Sequence, residues 1–591
     1  MIERTFSSYT VQWSPTFRLV RISVGGRCDF YYWLAPVSRA DTPEQCDRTL
    51  GWSDPVVEER PASGLRLTFV VQSSCWDRRE TVFEFHPDRI ETWIRLRGNG
   101  PLERVHWFCG VVDDQPVGSV PGFDRYTPGC PNFLGRRDFA PNEAYTIGVG
   151  HEPSHFWGQA VNSGPLFYAL HKDRIRGCMA AGMVVAPGEN LFDGFDFNHK
   201  PSDFESAADS IVGPQSFSLS YFGRLEVDGA WESPRLAFVF GRDREMCLRR
   251  YCRLLEGRGA IPRKRQTRDP AWWHRPIFCT WHEQCALGRK MLAGQSKDRE
   301  AMEGGALIKQ QCTQANCEHW LDVIMRERLS IGTFMIDAKW QRHYATNEPD
   351  LSRWPDLRGF IDRCHGLGMK VILWLDAWLR EGLPDDECMR RDSLRIAVDP
   401  THPGYRDRLR ASIRQMLSPA GLDADGFKID GTNRAPMGPG LANDGGLYGY
   451  ELQHAYLKLY YEAALEAKPD AMVCLYTANP YFRDVCNYLR LGDLYSMYGR
   501  PTDAMRERAG LYRIAMPGKG IDTDGAFRFS LAEDPLEEWG TQVELGTPTL
   551  YAIEHHLHLR GFHPGVLRAF EAADYERLRR TLDAYGPRRE S

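Results

Sequence analysis

The sequence predicts a multidomain chain: an N-terminal all-β sandwich followed by a (β/α)8 TIM barrel. Three observations carry that prediction. Residues 1 to about 240 hold short runs with apolar side chains at alternate positions. From Arg275 onward, strand-like and helix-like stretches take turns. Several of the later strand-like stretches end abruptly in aspartate.

In the first half, Leu65–Val71, Thr81–Phe85 and Ile90–Leu96 are short, aromatic or β-branched, and roughly alternating. Phe217–Val227 and Leu236–Phe240 continue the pattern, and Asn99-Gly100 and Asp228-Gly229 read as turns between strands. Many short strands at such spacing suggest a sandwich. His151, His155 and Trp157 read as a surface loop. From Asp243 the spacing turns helical, with Cys247, Leu248, Tyr251, Leu254 and Leu255 on one face. The expected division is a β-sandwich domain with its closing helix over 1–256, a linker over 257–270 and a catalytic barrel over 271–591. Arg263-Lys264-Arg265 between prolines fits a solvated linker.

The barrel strands are expected at Pro276–Trp281, Gly332–Asp337, Lys370–Asp376, Gly426–Asp430, Met472–Thr477, Tyr488–Asp493, Tyr512–Met516 and Thr549–Glu554. Leu357, Phe360, Ile361, Cys364 and Leu367 mark one amphipathic helix between them; Tyr405, Leu409, Ile413 and Met416 mark another. Trp320–Leu329, Glu451–Ala467, Leu536–Leu545 and Val566–Tyr585 complete the series. Eight strands, each followed by a helix, is the arithmetic of a (β/α)8 barrel. An open doubly wound sheet is the alternative, but no glycine-rich nucleotide loop follows the first strand.

A net charge of -5 gives no sign of nucleic-acid or membrane-surface binding. No apolar run approaches the ~18 residues of a membrane span, Cys178–Pro187 being about the longest, and the N-terminus lacks the pattern of a signal peptide. The 16 cysteines include no C-x-x-C pair, and Cys312 with Cys317 completes no zinc pattern. Reduced thiols in a cytoplasmic protein are expected. The 12% aromatic content, with 17 Trp, suits a sugar-stacking surface and a large sandwich core equally.

Chemistry concentrates at the strand tips. Asp337, Asp376, Asp430 and Asp493 end the second, third, fourth and sixth expected strands, with Trp340, Trp378 and Arg490 close by. Catalytic groups of such barrels sit at that end of the strands. An acidic, aromatic mouth suits a polyhydroxylated substrate: carboxylates accept hydrogen bonds from sugar hydroxyls, and Trp faces pack on sugar C–H surfaces. Glycoside cleavage needs two carboxyl groups in different protonation states. Lys428, two residues before Asp430 and on the same side of the strand, favours the ionised form that a nucleophile needs. Trp281, His282 and Glu283, ending the first strand, are expected at the pocket rim. Asp522 and Asp524 read as a turn with Gly525, and His402 as a helix-start residue.

Over residues 272–555 these motifs resemble the clan of retaining α-glycosidases that includes glycoside hydrolase families 36 and 31. Lys428-Ile429-Asp430 looks like the clan's Lys-x-Asp nucleophile motif, and Arg490-Leu-Gly-Asp493 like its Arg-x-x-Asp acid/base motif. Asn433-Arg434 echoes the Asn-Arg that follows the nucleophile in bacterial family 36 enzymes, one residue further on. Asp337 and Trp340 match the ends of the Asp-Asp-Gly-Trp motif that grips sugar hydroxyls. Ala338 and Lys339 depart from its middle, and Lys339 in that place is compatible with an anionic sugar. The chain ends about where the last barrel helix does, so the clan's C-terminal β-domain is expected to be missing or severely reduced.

The resemblance implies an exo-acting α-galactosidase-like hydrolase with Asp430 as nucleophile and Asp493 as acid/base. Asp337, Trp340, Asp376, Trp378, Lys428, Arg490 and Trp281 would contact an oligosaccharide or glycoside substrate. It implies no cofactor and no metal. An α-glucosidase or transglycosidase would use the same residues, and a homo-oligomer is left open. A sugar-binding barrel without catalysis is the rival from another class, and a metal-dependent barrel isomerase is a further one. The presence of both Asp430 and Asp493 weighs against the first, and the lack of a convincing ligand set against the second.

Overall fold

A computed structural model describes residues 2–15, 19–24, 30–34, 36–60, 64–112, 115–118, 167–173, 177–199, 215–263, 269–292, 305–432, 434–475, 477–491, 501–523, 535–560 and 563–585. His151, His155, Trp157, Asn433, Asp493 and Asp524 lie outside the described residues.

Among the described residues, the first half folds into two largely antiparallel sheets, one of four strands and one of thirteen. Arg89–Trp107 is the spine of the larger one. Its first half pairs with Arg78–Phe85 and Arg235–Gly241, and its second half with Gln215–Glu232 and Ser38–Asp41. The two expected turns are therefore corrected. Asn99-Gly100 and Asp228-Gly229 face each other inside this ladder, Asn99 opposite Asp228. Gly100 and Gly229 hold positive φ, 140° and 73°, inside two long strands that run on through them. Trp13, Phe69, Phe83, Phe108, Phe217 and Phe238 make an aromatic chain through the interior, edge-on or tilted at 4.8–6.2 Å between centroids. Part of the chain's aromatic content is thus spent on this core.

Arg244–Gly257 forms the expected helix, capped by Asp243 Oδ1, which accepts from Met246 N at 2.7 Å. It packs between the strands Gly177–Val184 and Arg235–Gly241 on one side and the barrel helix Pro501–Ala515 on the other.

Eight parallel strands follow: Ile277–Cys279, Thr333–Ile336, Lys370–Asp376, Gly426–Asp430, Met472–Leu475, Tyr488–Arg490, Gly520–Asp522 and Thr549–Leu550. The first seven pair in sequence order, and the eighth pairs with the first. Between the seventh and eighth, a single bridge, Asp522 to Thr547, brings the barrel to closure. The seventh strand is a correction. Tyr512–Met516 belongs to the helix Pro501–Ala515 and its end, which buries Met505, Ala509 and Tyr512 at helical spacing. Trp281–Leu292 is a helix and not a strand end. Val566–Tyr585 divides into the second arm of a hairpin, His555–Arg560 with His563–Ala569, and the helix Ala572–Tyr585. That hairpin is what stands after the eighth strand before the last helix.

Alternation sorts the barrel side chains. Ile277, Cys279, Met335, Ile372, Met472, Cys474 and Tyr488 fill the interior, with Trp273 beneath. Val371, Leu373, Phe427 and Ile429 join the outer core, with the helices. On the third strand Ile372, Trp374 and Asp376 share one side; on the fourth, Gly426, Lys428 and Asp430 do. The inward side therefore passes from apolar to charged as the mouth is approached.

Candidate active site

Register pairing sets Asp376 opposite Asp430 at the C-terminal tips of the third and fourth strands. Asp430 Oδ1 accepts from Gly431 N at 2.9 Å and lies 3.9 Å from Arg490 Nη1, on the sixth strand. Its Oδ2 faces Trp374 Nε1 at 3.4 Å. Two donors and the nearby guanidinium charge thus favour the charged carboxylate. Gly431 holds a left-handed φ of 65°, and a Cβ there would lie 2.4 Å from Asp376 Oδ1. Only glycine leaves both carboxyl groups their places.

Asp376 has no such support. Its Oδ1 has no hydrogen-bond partner among the described residues. Burial, then the charge of Asp430, push its carboxyl up to about 7 against the opposing pull of Arg434 and Lys309. Tyr344 and Trp374 form an aromatic wall beside it, their rings edge-on at 5.8 Å.

Beneath this pair lies a buried charged layer. Lys428 Nζ donates to Asp337 Oδ2 at 2.6 Å and to Tyr551 OH at 3.1 Å. The Cys279 thiol donates to Asp337 Oδ2 at 3.2 Å, and Ala338 N to Oδ1 at 2.8 Å. A lone charge there would be costly; the pair makes it tolerable. Asp337, 3% exposed, is therefore first the partner of Lys428, and the neighbour that the sequence reading gave Lys428, Asp430, sits one layer above.

Two expected substrate contacts are corrected. Trp340 is 0% exposed and donates its Nε1 hydrogen to Trp374 O at 2.8 Å, so no face of it is open to a ligand. Trp378, 4% exposed, packs edge-on against Tyr456 at 4.6 Å. Both brace the third strand. Trp281 stays part-exposed at the start of its helix, against the barrel interior. Glu283 is fully buried instead of lining a rim. Its Oε1 accepts from the backbone N of Ile553, Glu554 and His555, and its Oε2 pairs with His555 Nδ1 at 2.7 Å. Glu283, Glu554 and His555 lie close enough to hold a metal ion, but Glu283's bonds staple the segment after the eighth strand. Asp522 is buried at the seventh strand tip, where it accepts from Thr549 Oγ1.

The sequence reading missed Trp374, Tyr344, Tyr551 and Lys309. Trp374 had a signal: it stands two residues before Asp376, so alternation puts it on the same side. Tyr344 and Tyr551 come from loops and Lys309 from a short helical stretch before the second strand, none of which strand alternation predicts.

The first half of the chain also reaches this end of the barrel. Arg224 donates to Gly438 O and lies 3.2 Å from the buried Asp193, which in turn accepts from Gly438 N at 3.3 Å. Arg224 also covers the ring of Tyr448, 4.8 Å from its centroid. Asn190 bonds Glu451, in the first turn of the helix Gly449–Ala467. The loop leaving the nucleophile-candidate strand is clamped from the sheets.

No protein-family model matches the chain, and no curated protein does. Solved structures do. α-N-Acetylgalactosaminidase NagBb from Bifidobacterium bifidum aligns over 100% of this chain and 93% of its own, with a TM-score of 0.60 at 12% identity. The α-galactosidase TtGalA from Thermus thermophilus aligns over 90% and 99%, with a TM-score of 0.47 at 14% identity. A family 31 sulfoquinovosidase from E. rectale aligns over 99% and 83%, with a TM-score of 0.49 at 15% identity. The likeness to NagBb establishes the fold: antiparallel sheets joined to a (β/α)8 barrel.

Proposed function

We propose that the protein is a retaining, exo-acting α-glycoside hydrolase, α-galactosidase-like, with Asp430 as nucleophile and Asp493 as acid/base. The observation that carries this reading is the setting of Asp430. It stands at a barrel strand tip, held by Gly431 N–H and faced by Trp374 Nε1 and Arg490. Asp493 follows Arg490 by three residues in sequence, the spacing of the Arg-x-x-Asp acid/base motif that it resembles.

In the first step the Asp430 carboxylate bonds to the anomeric carbon while the glycosidic C–O bond breaks. The Asp493 proton passes to the leaving oxygen. In the second step Asp493 takes a proton from water, whose oxygen attacks the anomeric carbon and releases Asp430. Neither step needs a cofactor. Asp376, Arg490 and Trp281 would meet the sugar, and Lys428 with Asp337 would form the floor. Lys339 is engaged by Glu381 at 2.7 Å and lies over the Tyr344 ring, which favours a neutral sugar over an anionic one. Every cysteine whose side chain is described is a free thiol, which suits a cytoplasmic setting. Among the described residues no helix is long and apolar enough to cross a membrane.

The test is a panel of aryl α-glycosides, galactosides and glucosides included, on the wild type, Asp430→Ala and Asp493→Ala. Both variants are expected to lose about a thousandfold or more in kcat. Azide is expected to restore Asp430→Ala through a glycosyl azide of inverted configuration. Undiminished turnover in both variants would sink the mechanism.

A further inference from the structure

We propose that Asp376 is a positioning residue that regulates the charge of Asp430: the two strand-tip carboxyl groups share one negative charge in the resting protein, Asp376 holding the proton while Asp430 stays ionised. The proposal rests on the reading of Asp430 as nucleophile and goes beyond it, because it gives a specific task to a carboxyl with no role in bond making.

The geometry argues it directly. Asp376 and Asp430 are register partners on adjacent parallel strands, so their Cα atoms stand about 5 Å apart. Alternation sends both side chains to the inward side, and both crowd Gly431. One carboxyl bonds that residue's N–H, and the other occupies the space its Cβ would fill. The donors are distributed unequally. Asp430 has the amide, the indole and the guanidinium. Asp376 keeps an enclosed Oδ1 that no donor reaches among the described residues.

Two like charges in adjoining, part-buried sites repel, which favours keeping one proton on the site with fewer donors. The charged and titratable groups around Asp376 are Asp430 and Arg434 from the fourth strand and its loop, and Lys309 from the segment before the second strand. Tyr344, after that strand, and Tyr460, on the helix Gly449–Ala467, complete them. Arg434 and Lys309 lower the carboxyl, but burial and Asp430 outweigh them and push it up to about 7.

The consequence is a nucleophile whose neighbour is neutral when it must attack. If Asp376 were ionised as well, a second negative charge would raise the proton affinity of Asp430, so the two groups titrate as a pair. An asparagine at 376 keeps the neutral state at every pH, so it mimics the resting enzyme and removes the titration.

The test is a carboxyl ¹³C NMR titration of the full-length protein labelled at aspartate, on the wild type, Asp376→Asn and Asp430→Asn. It is joined to pH profiles of kcat/KM on an aryl α-glycoside. One resonance titrating near neutrality is expected in the wild type and absent from Asp376→Asn. In Asp430→Asn it is expected to move down by roughly one pH unit or more. The wild-type kcat/KM profile is expected to carry, besides the basic limb set by the acid Asp493, an inflection near neutrality that is absent from Asp376→Asn, which a merely structural role would not cause. A resonance confined to the ordinary carboxylate range, or one unmoved in Asp430→Asn, overturns the shared charge. An inflection kept in Asp376→Asn, or missing from the wild type, overturns the regulatory role. If Asp376→Asn fails to fold, the wild type against Asp430→Asn still decides, since the near-neutral resonance must exist in one and move in the other. Absence of turnover in the wild type would remove the glycosidase reading and leave the titration result standing.

Discussion

Lys428 and Asp337 form a salt bridge of 2.6 Å inside the barrel, each side chain 4% exposed. They come from the fourth strand and the tip of the second, and no apolar neighbour could solvate either alone. Such a pair stabilises mainly by preventing a worse state.

Removing one partner should therefore cost more than removing both. Lys428→Met or Asp337→Leu alone is expected to destabilise by about 3–5 kcal/mol, and the double variant by clearly less than the sum. Urea unfolding of the cycle checks it; additive losses would contradict the pairing.

At the other end of the fourth strand, Asp425 holds the barrel bottom. It accepts from His365 at 2.7 Å, Lys370 at 2.8 Å, Lys468 at 3.1 Å and Val371 N at 2.9 Å. Burial raises its carboxyl, but these partners hold it far below the ordinary carboxylate range. A lowered carboxyl adds stability above its unfolded value and loses it as pH falls through the folded one. Asp425→Asn is thus expected to cost about 3 kcal/mol at pH 7 and progressively less below about pH 4. Unfolding measured across that window tests the sign.

Asp376 has the opposite sign. Its carboxyl is raised to about 7, so its contribution is present at low pH and is lost as pH climbs from about 4 to about 7. Asp376→Asn should match the wild type in stability near pH 4 and exceed it above neutrality, by about 1 kcal/mol or more. Denaturant melts at pH 4 and pH 8 are the comparison. Equal gains at both would disprove the titration.

Gly431→Ala tests the crowding itself. The substitution demands a left-handed alanine and drives a methyl group into Asp376 Oδ1. A loss of about 1–3 kcal/mol is expected. The drop in kcat should exceed that of Gly366→Ala, where an added Cβ meets nothing within 4 Å, in a helix end remote from the mouth. Calorimetry with parallel kinetics would show both.

Much of the barrel was legible because a parallel strand is a short apolar run with an abrupt polar end. Lys370–Asp376 and Gly426–Asp430 were read to the residue. Reading failed where one local pattern serves two structures. Tyr512 to Met516 mixes aromatic and branched residues, as a strand does, yet it is the end of a helix and the residue after it. Asn99-Gly100 has turn chemistry but pairs with Asp228 and Val227 in a continuous ladder. The site was legible in its residue types and not in its partnerships. That Lys428 would choose Asp337, 91 residues earlier, follows only from the barrel's radius. Trp340 and Trp378 resembled sugar platforms until their burial was known.

The clamp of Asp193 and Arg224 on Gly438 has a consequence for descent. The loop that follows Asp430 is owned jointly by two parts of the chain. A barrel passed on without its sheets would keep its carboxylates and lose the contacts that hold the Gly438 loop. The two halves must therefore travel together, and a change in the sheets can retune a pocket to which they contribute no reacting atom.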